Sequence, residues 1–333
     1  GNDFINIKEN RISDKYPLNF VICSECMMSQ INYTVPKEKM FVDHSYMSGT
    51  TRTLSKHFSK ISENILNKIE LKNDEYVLDI GGNDGTFLKN FLEKNIKVLN
   101  VDSGKQQAEI SKKNGVDCIN DFFNEKLAFS IKNKYGSASV IHGSGIFFHL
   151  EELNSVFKGI KNLLKSDGII VAEFINLMPM MKNLAFDQIY HEHLLYYSIN
   201  TLQGLLKKYD LEIIDAEKFD IHGGSCVVYI QHVESNAPKS DRLIEYLKEE
   251  VEFGIYDLKT YKDFAINTIN LKKELLNLLK KLKQDGKKVF GLGAPVKGST
   301  IINFLNIDET LLECAVEINP YKFNTYYPGT RIP

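Results

Sequence analysis

Residues 77–88 read "VLDIGGNDGTFL": an apolar strand, a glycine-rich turn, and the start of an amphipathic helix. The strand ends at Asp79 and Ile80, and the turn runs through Gly81, Gly82, Asn83, Asp84 and Gly85. Glycines let a backbone turn tightly and approach a ligand closely, and ligands of open α/β sheets bind at the carboxyl ends of the strands. The G-G-x-x-G spacing is not the G-x-G-x-x-G of a dinucleotide site, and no Lys-Ser/Thr follows as in a P-loop. The next strand ends on an acid, Asp102 in "VLNVDSG", where a carboxylate can accept both hydroxyls of a ribose. A glycine-rich turn with a ribose acid, but without a pyrophosphate fingerprint, points to S-adenosylmethionine rather than NAD. Asp121, Phe122 and Phe123 follow the third strand, placed either to bracket an adenine or to pack in the core, and Ser144 ends the fourth.

The pattern around this stretch sets the fold class. Leu54, Phe58, Ile61, Ile65 and Ile69 recur at helical spacing before it. After it, "IKVLNVDSG", "GVDCINDFF" and "ASVIHGSGIFFHL" read as strands, and "LNSVFKGIKNLLKSDGIIVAEF" as a helix, a Gly turn and a fifth strand. Strand–helix alternation over this span predicts an α/β, doubly wound, mainly parallel sheet. Residues 201–233 predict a helix followed by strands bent at Gly223 and Gly224, and residues 240–285 are charged and helical up to Gly286. "KKVFGLGAPVKGSTIINFLNIDETLLECAVEIN" then gives strand, Gly turn, helix and strand, a second and smaller α/β unit that looks incomplete.

A chain of 333 residues predicts two or three domains. The 43% apolar and 25% charged content is that of a globular protein. No run of eighteen apolar residues is present, which argues against a membrane span. A net charge of −2 argues against binding nucleic acid through its phosphates. Five Cys without a disulfide pattern fit a reducing, cytoplasmic setting. Cys23 and Cys26 form a C-x-x-C, half of the four ligands of a structural zinc; the other three Cys are scattered singly.

A second stretch, residues 186–198, "FDQIYHEHLLYYS", crowds an Asp, two His, a Glu and three Tyr. Metal site, acid/base site and solvated polar loop all compete for it. If residues 190–193 are extended, Tyr190 and Glu192 face one way and His191 and His193 the other. Such an H-x-H pair can ligate a metal, but no further ligands stand at suitable spacing. The acid/base reading fits better: a His near pKa 6.5 can accept a proton, a neighbouring Glu can orient it, and a Tyr hydroxyl can donate to an oxyanion. In a third stretch, "GLGAPVKGSTIINFL", Pro295, Lys297, Ser299 and Thr300 surround a predicted helix N-terminus suited to an anion such as a nucleotide sugar; His222 and Ser225 in "IHGGSCVVY" face the same cleft by expectation.

Taken together, the chain resembles the bacterial nucleotide-sugar C-methyltransferases, which act on 4-keto-deoxysugars. Seven collinear stretches carry the resemblance: "KYPLNFVICSECMMSQ", "YMSGTTRT", "VLDIGGNDGTFL", "FDQIYHEHLLYYS", "IHGGSCVVYI", "GLGAPVKGSTIINF" and "YYPGTRIP". It implies an N-terminal zinc-type module (1–52), a central Rossmann-like S-adenosylmethionine domain (53–198) and a C-terminal α/β domain for the sugar nucleotide (199–333). The chain departs from the family in lacking the first Cys pair and the closing elements after "PGTRIP", so truncation at both ends and zinc only with an upstream Cys pair are expected. The resemblance also implies roles: His193 as base, Glu192 orienting it, Tyr190 and Tyr46 lining the site, and His191 touching the sugar substrate. A nucleotide-linked 4-keto sugar is then the partner, with no nucleic acid or membrane, and the protein is a monomer or weak dimer. O- or N-methylation of a sugar, and a non-catalytic sugar-nucleotide binder, are the competing readings.

Overall fold

The structure is a computed structural model that describes residues 3–11, 13–42, 46–50, 52–221 and 223–333. The N-terminal part holds strands β1 (Ile5–Asn6), β2 (Phe20–Ile22) and β3 (Ser29–Ile31), then helices α1 (Lys37–Phe41) and α2 (Arg52–Leu66). The central part runs β4 (Tyr76–Ile80), α3 (Thr86–Leu92), β5 (Lys97–Val101), α4 (Lys105–Lys113), β6 (Cys118–Ile119), α5 (Glu125–Tyr135), β7 (Ala138–Ser144), α6 (Leu153–Leu163) and β8 (Leu164–Ile175). Next come α7 (Leu177–Lys182), β9 (Leu195–Tyr196), α8 (Ile199–Leu206), β10 (Leu211–Phe219) and β11 (Ser225–His232). The C-terminal part comprises α9 (Asp241–Phe253), α10 (Leu258–Gln284), β12 (Phe290–Leu292), α11 (Val296–Leu305), β13 (Cys314–Val316) and β14 (Thr325–Tyr326).

A seven-stranded sheet has the order β10-β11-β8-β7-β4-β5-β6. The five strands from β8 to β6 are parallel, and β11 and β10 add antiparallel at one edge. Every residue of β4 is buried, as expected of a parallel strand covered on both faces. Side chains alternate between two cores. Val77, Val140 and Val171 meet Phe58, Ile61 and Phe87 of α2 and α3; Leu78, Ile141 and Ile170 meet Ile131, Phe157 and Leu202 of α5, α6 and α8. Because β10 and β11 complete this sheet, residues 199–232 belong to the central domain's sheet rather than to the C-terminal unit expected from residue 199. The strand pattern in that region was legible, but its partner was not: a strand pattern does not say which sheet it joins.

The other parts pack around one region. β2, β3 and β9 form a three-stranded sheet, so the strand leaving residues 186–194 pairs with the N-terminal hairpin. β1 pairs antiparallel with β14, and β12 pairs parallel with β13. A third core joins Ile31, Phe186, Leu194 and Tyr196 to Tyr261, Phe264, Ile302 and Tyr327. Residues 186–196 are therefore wedged where three parts of the chain meet. No helix among the described residues is long and apolar enough to cross a membrane.

Candidate active site

The chain crosses from β6 back over β4 to reach β7, so the crevice of the sheet opens at the carboxyl ends of β4 and β7. Gly81, Asn83 and Gly85 all have positive φ (69°, 52° and 78°) in the turn after β4, a conformation glycine and asparagine tolerate. Gly82 has no room for a side chain: a Cβ would sit 2.4 Å from Asn100 Oδ1 and 2.6 Å from Asp79 Oδ2. Asp102 ends β5 nearby, where its carboxylate accepts the backbone N–H groups of Asn83 and Gly104, both at 2.8 Å. Burial pushes its pKa up to about 6 against these two bonds, with Asp79 and Asp84 adding to the rise. A strap formed by residues 46–50 lies on the turn. Ser48 N–H donates to Asn83 Oδ1 at 3.0 Å, Gly49 N–H to Asp84 Oδ2 at 2.8 Å, and the Tyr46 carbonyl accepts from Asn83 and Gln107.

The remaining expected cofactor residues fall in different environments. Asp121 is exposed and accepts the Phe122 N–H at 2.8 Å, and Phe122 is half-buried with Lys37 Nζ over its ring. Phe123 is buried in the core beside Ile131 and Phe157 rather than turned to the crevice. Ser144 is half-buried at the end of β7 and donates to Glu173 at 2.6 Å. Glu173 and its second partner His57 escaped the sequence reading, as did the buried pair His142–Asp79 (2.7 Å) beneath the turn. These pairs lie 116 and 63 residues apart, so only the folded sheet brings them together.

Residues 190–193 form a turn, not an extended segment: His193 N–H donates to the Tyr190 carbonyl at 2.9 Å. The expected H-x-H face is therefore absent. The turn instead brings the rings of Tyr190 and His193 to 4.0 Å between centroids, both buried. His191 points the other way, to the carbonyls of Tyr16 (3.3 Å) and Pro17 (3.1 Å), and burial lowers its pKa. His193 Nδ1 donates to the Gln188 carbonyl at 2.9 Å. A carbonyl only accepts, so this bond puts the proton on Nδ1 and leaves Nε2 as the basic nitrogen. That backbone carbonyl orients the His193 ring.

His149 Nδ1 donates to the Glu192 carbonyl, and the His149 ring lies 5.2 Å from that of His193. Leu194 N–H donates to the Phe148 carbonyl at 2.7 Å. The loop after β7 thus holds one side of the 190–194 turn while β3 holds the strand that follows it. Tyr46 is 55% exposed; desolvation raises its pKa, and Asp84 and Glu173 add to the rise. Burial raises the pKa of Tyr190 well above its ordinary value, and Tyr46 lies within its electrostatic reach. Both hydroxyls remain donors at neutral pH.

Tyr190, His191 and Glu192 open onto a cleft of about 1640 Å³. Lys15, Lys262, Ser299 and Lys322 also line it. Pro295 caps α11 and is exposed, Lys297 is half-buried near Asp187 with its pKa lowered by desolvation, and Ser225 is buried at the start of β11; none of the three is among the described residues lining the cleft. His222 lies outside the described residues.

Cys23 and Cys26 occupy the turn between β2 and β3, and the backbone N–H of Cys26 lowers the Cys23 thiol pKa. Among the described residues, no group of three or more His, Cys, Asp or Glu could hold a metal ion. Two thiols do not complete a structural zinc site, so the expected zinc, conditional on a further Cys pair, is not supplied by the described residues.

The Rossmann-like sheet carries a glycine turn after β4 and a crevice over the carboxyl ends of β4 and β7. Residues 49–216, half of the chain, match the model of the methyltransferase domain, and residues 220–333 match that of the C-methyltransferase C-terminal domain. The chain belongs to the S-adenosylmethionine-dependent C-methyltransferases. It is 28% identical to the C-methyltransferase NovU of Streptomyces niveus, over 96% of this chain and 76% of that one. Similar solved structures include an S-adenosylmethionine-dependent methyltransferase from Anabaena variabilis (17% identity, 54% of this chain and 85% of that one, TM-score 0.41). Another is the magnesium protoporphyrin IX methyltransferase of Synechocystis with bound S-adenosylhomocysteine (10% identity, 59% and 92%, TM-score 0.42).

Proposed function

We propose that this enzyme C-methylates a nucleotide-linked 4-keto-deoxysugar through an enolate, with His193 as the base. The observation that carries the reading is the hydrogen bond from His193 Nδ1 to the Gln188 carbonyl, which makes Nε2 the proton acceptor beside Tyr190. The donor fits the crevice. The Gly81–Gly85 turn packs so closely on Asn100 and Asp79 that a Cβ at Gly82 would displace it, and the buried Asp102 carboxylate has acceptor capacity for ribose hydroxyls beyond its two N–H bonds. When bound, S-adenosylmethionine supplies an electrophilic methyl group, which the enolate carbon takes.

The chain's own residues do the rest. A 4-keto group acidifies the adjacent carbon, and His193 Nε2 removes that proton and becomes an imidazolium. Charge develops on the keto oxygen, so a hydrogen-bond donor aimed there lowers the barrier. Tyr190 and Tyr46 are suited to this because desolvation keeps them protonated. The Glu192 carboxylate, within electrostatic reach of Tyr190, favours the imidazolium once it forms. The cleft is larger than a monosaccharide needs and suits a sugar nucleotide, and Lys15, Lys262 and Lys322 among its lining residues could meet a diphosphate.

Mass spectrometry of candidate nucleotide-linked 4-keto sugars, incubated with enzyme and donor in deuterated water, tests the reaction. C-methylation adds one methyl at the carbon whose proton exchanges. A methyl gained with that carbon's proton retained would establish O- or N-methylation instead.

A further inference from the structure

Gln107, in the first turn of α4, is a polar side chain with no exposed surface. A buried amide is costly unless it is hydrogen-bonded. Gln107 Nε2 donates to the Tyr46 carbonyl at 3.0 Å, and Asn83 Nδ2 of the glycine turn donates to the same oxygen at 3.2 Å. The Gln107 amide lies against Gly104, where a Cβ would stand 2.2 Å from its Oε1. It therefore reaches the strap across the backbone that follows Asp102.

Of the described residues 46–50, only Ser48 is buried. Hydrogen bonds, more than apolar burial, thus fix the strap: Ser48 and Gly49 N–H to Asn83 and Asp84, and the Tyr46 carbonyl to Asn83 and Gln107. The Ser48 side chain hydrogen-bonds to that of Tyr46, so fixing the strap also fixes the ring. Tyr46 is within electrostatic reach of Asp84 in the donor turn and of Tyr190 beside His193. It stands near both the donor crevice and the turn that carries the candidate base.

We propose that Gln107 is a positioning residue for the methyl transfer: with Asn83 it grips the Tyr46 carbonyl and so sets where the Tyr46 hydroxyl meets the developing oxyanion. The proposal rests on the reading that Tyr46 donates to the enolate oxygen. Such a donor works because it is in place before the charge develops, and a misplacement of about 1 Å can cost about 10²-fold. Gln107 acts through the backbone of Tyr46, not on the substrate.

Two measurements test it. Hydrogen exchange next to the keto group of a nucleotide-linked 4-keto sugar, with saturating S-adenosylhomocysteine, reads the chemistry; calorimetry reads the affinity for S-adenosylhomocysteine. Gln107→Met and Gln107→Leu both keep apolar bulk at the site and remove the amide, so one poorly folded variant does not decide the matter. Either should slow exchange about tenfold or more, while S-adenosylhomocysteine binds within about threefold of wild type. Tyr46→Phe should slow exchange about 10²–10³-fold. Adding Gln107→Met to Tyr46→Phe should then cost less than about twofold more, because the hydroxyl it positions is already gone. A full Gln107→Met penalty in the Tyr46→Phe background, or an equal loss of S-adenosylhomocysteine affinity, would show that Gln107 only fastens α4 and would overturn the proposal. Wild-type exchange in both Gln107 variants would overturn it as well. Wild-type exchange in Tyr46→Phe would instead overturn the role of Tyr46 itself, and the proposal with it.

Discussion

The Tyr190 and His193 rings meet at 4.0 Å because the turn between them closes with the His193 N–H on the Tyr190 carbonyl. Had the segment been extended, the two side chains would lie on opposite faces. The turn thus brings a candidate base beside Tyr190, a candidate oxyanion donor that lines the cleft, and turns His191 to the N-terminal backbone.

Asp102 should make donor binding pH-dependent. Burial pushes its pKa up to about 6 in the free protein, so it is ionised above pH 6 and neutral below. The ionised form is the stronger acceptor for ribose hydroxyls. Affinity for S-adenosylhomocysteine should therefore be flat above about pH 7 and fall by up to about tenfold per pH unit below 6. Calorimetry across this range checks it. Asp102→Ala should lose about 1.5–3 kcal/mol at neutral pH and abolish the dependence; an unchanged profile would show that Asp102 does not meet the donor.

Gly82→Ala should cripple the crevice. The new Cβ would lie 2.4 Å from Asn100 Oδ1 and 2.6 Å from Asp79 Oδ2, both on buried side chains. The turn must shift, so donor binding should fall by roughly tenfold or more while overpacking costs about 1–3 kcal/mol of stability. Thermal melts run with and without S-adenosylhomocysteine read both effects. A ligand-induced rise in Tm equal to that of wild type would contradict the close approach.

Asp215 should support the fold most strongly above mildly acidic pH. It is 4% exposed and receives hydrogen bonds from Arg242, Lys68 and Ser240. Burial opposes its ionisation, but these bonds prevail and hold its pKa below the ordinary carboxylate value. A depressed folded pKa contributes stability above the unfolded pKa of about 3.9, lost as pH falls through the folded value. Asp215→Ala should cost about 1–3 kcal/mol at pH 7, and the difference from wild type should shrink as pH drops below about 4. Denaturant titrations at pH 7 and pH 3 measure it; a gap that stays constant would point to packing rather than charge.

The glycine turn and Asp102 were legible because each is a local signal: a strand, a spacing and an acid at the next strand's end. The long helices were legible from their apolar period, and Gly286 marks a real stop at φ +70°. The turn at 190–193 was not, since four polar and aromatic residues carry no period that separates turn from strand. The contacts of His149, His57 and Glu173 were hidden for another reason: each partner comes from a distant element, the Glu192 carbonyl for His149 and the His57–Glu173 pair across 116 residues. The placement of β10 and β11 was hidden likewise, because strand pairing is a tertiary choice.

The central claim is that His193 moves the substrate's proton. The most direct measurement is solvent exchange of the hydrogen adjacent to the keto group of a nucleotide-linked 4-keto sugar, with S-adenosylhomocysteine in place of the donor so that no methyl transfer follows. Wild-type enzyme should exchange it readily. His193→Asn should slow exchange by at least about 10²–10⁴-fold, the usual contribution of a general base, while S-adenosylhomocysteine still binds as in wild type. Exchange at the wild-type rate in His193→Asn would contradict the account and move the base to another residue.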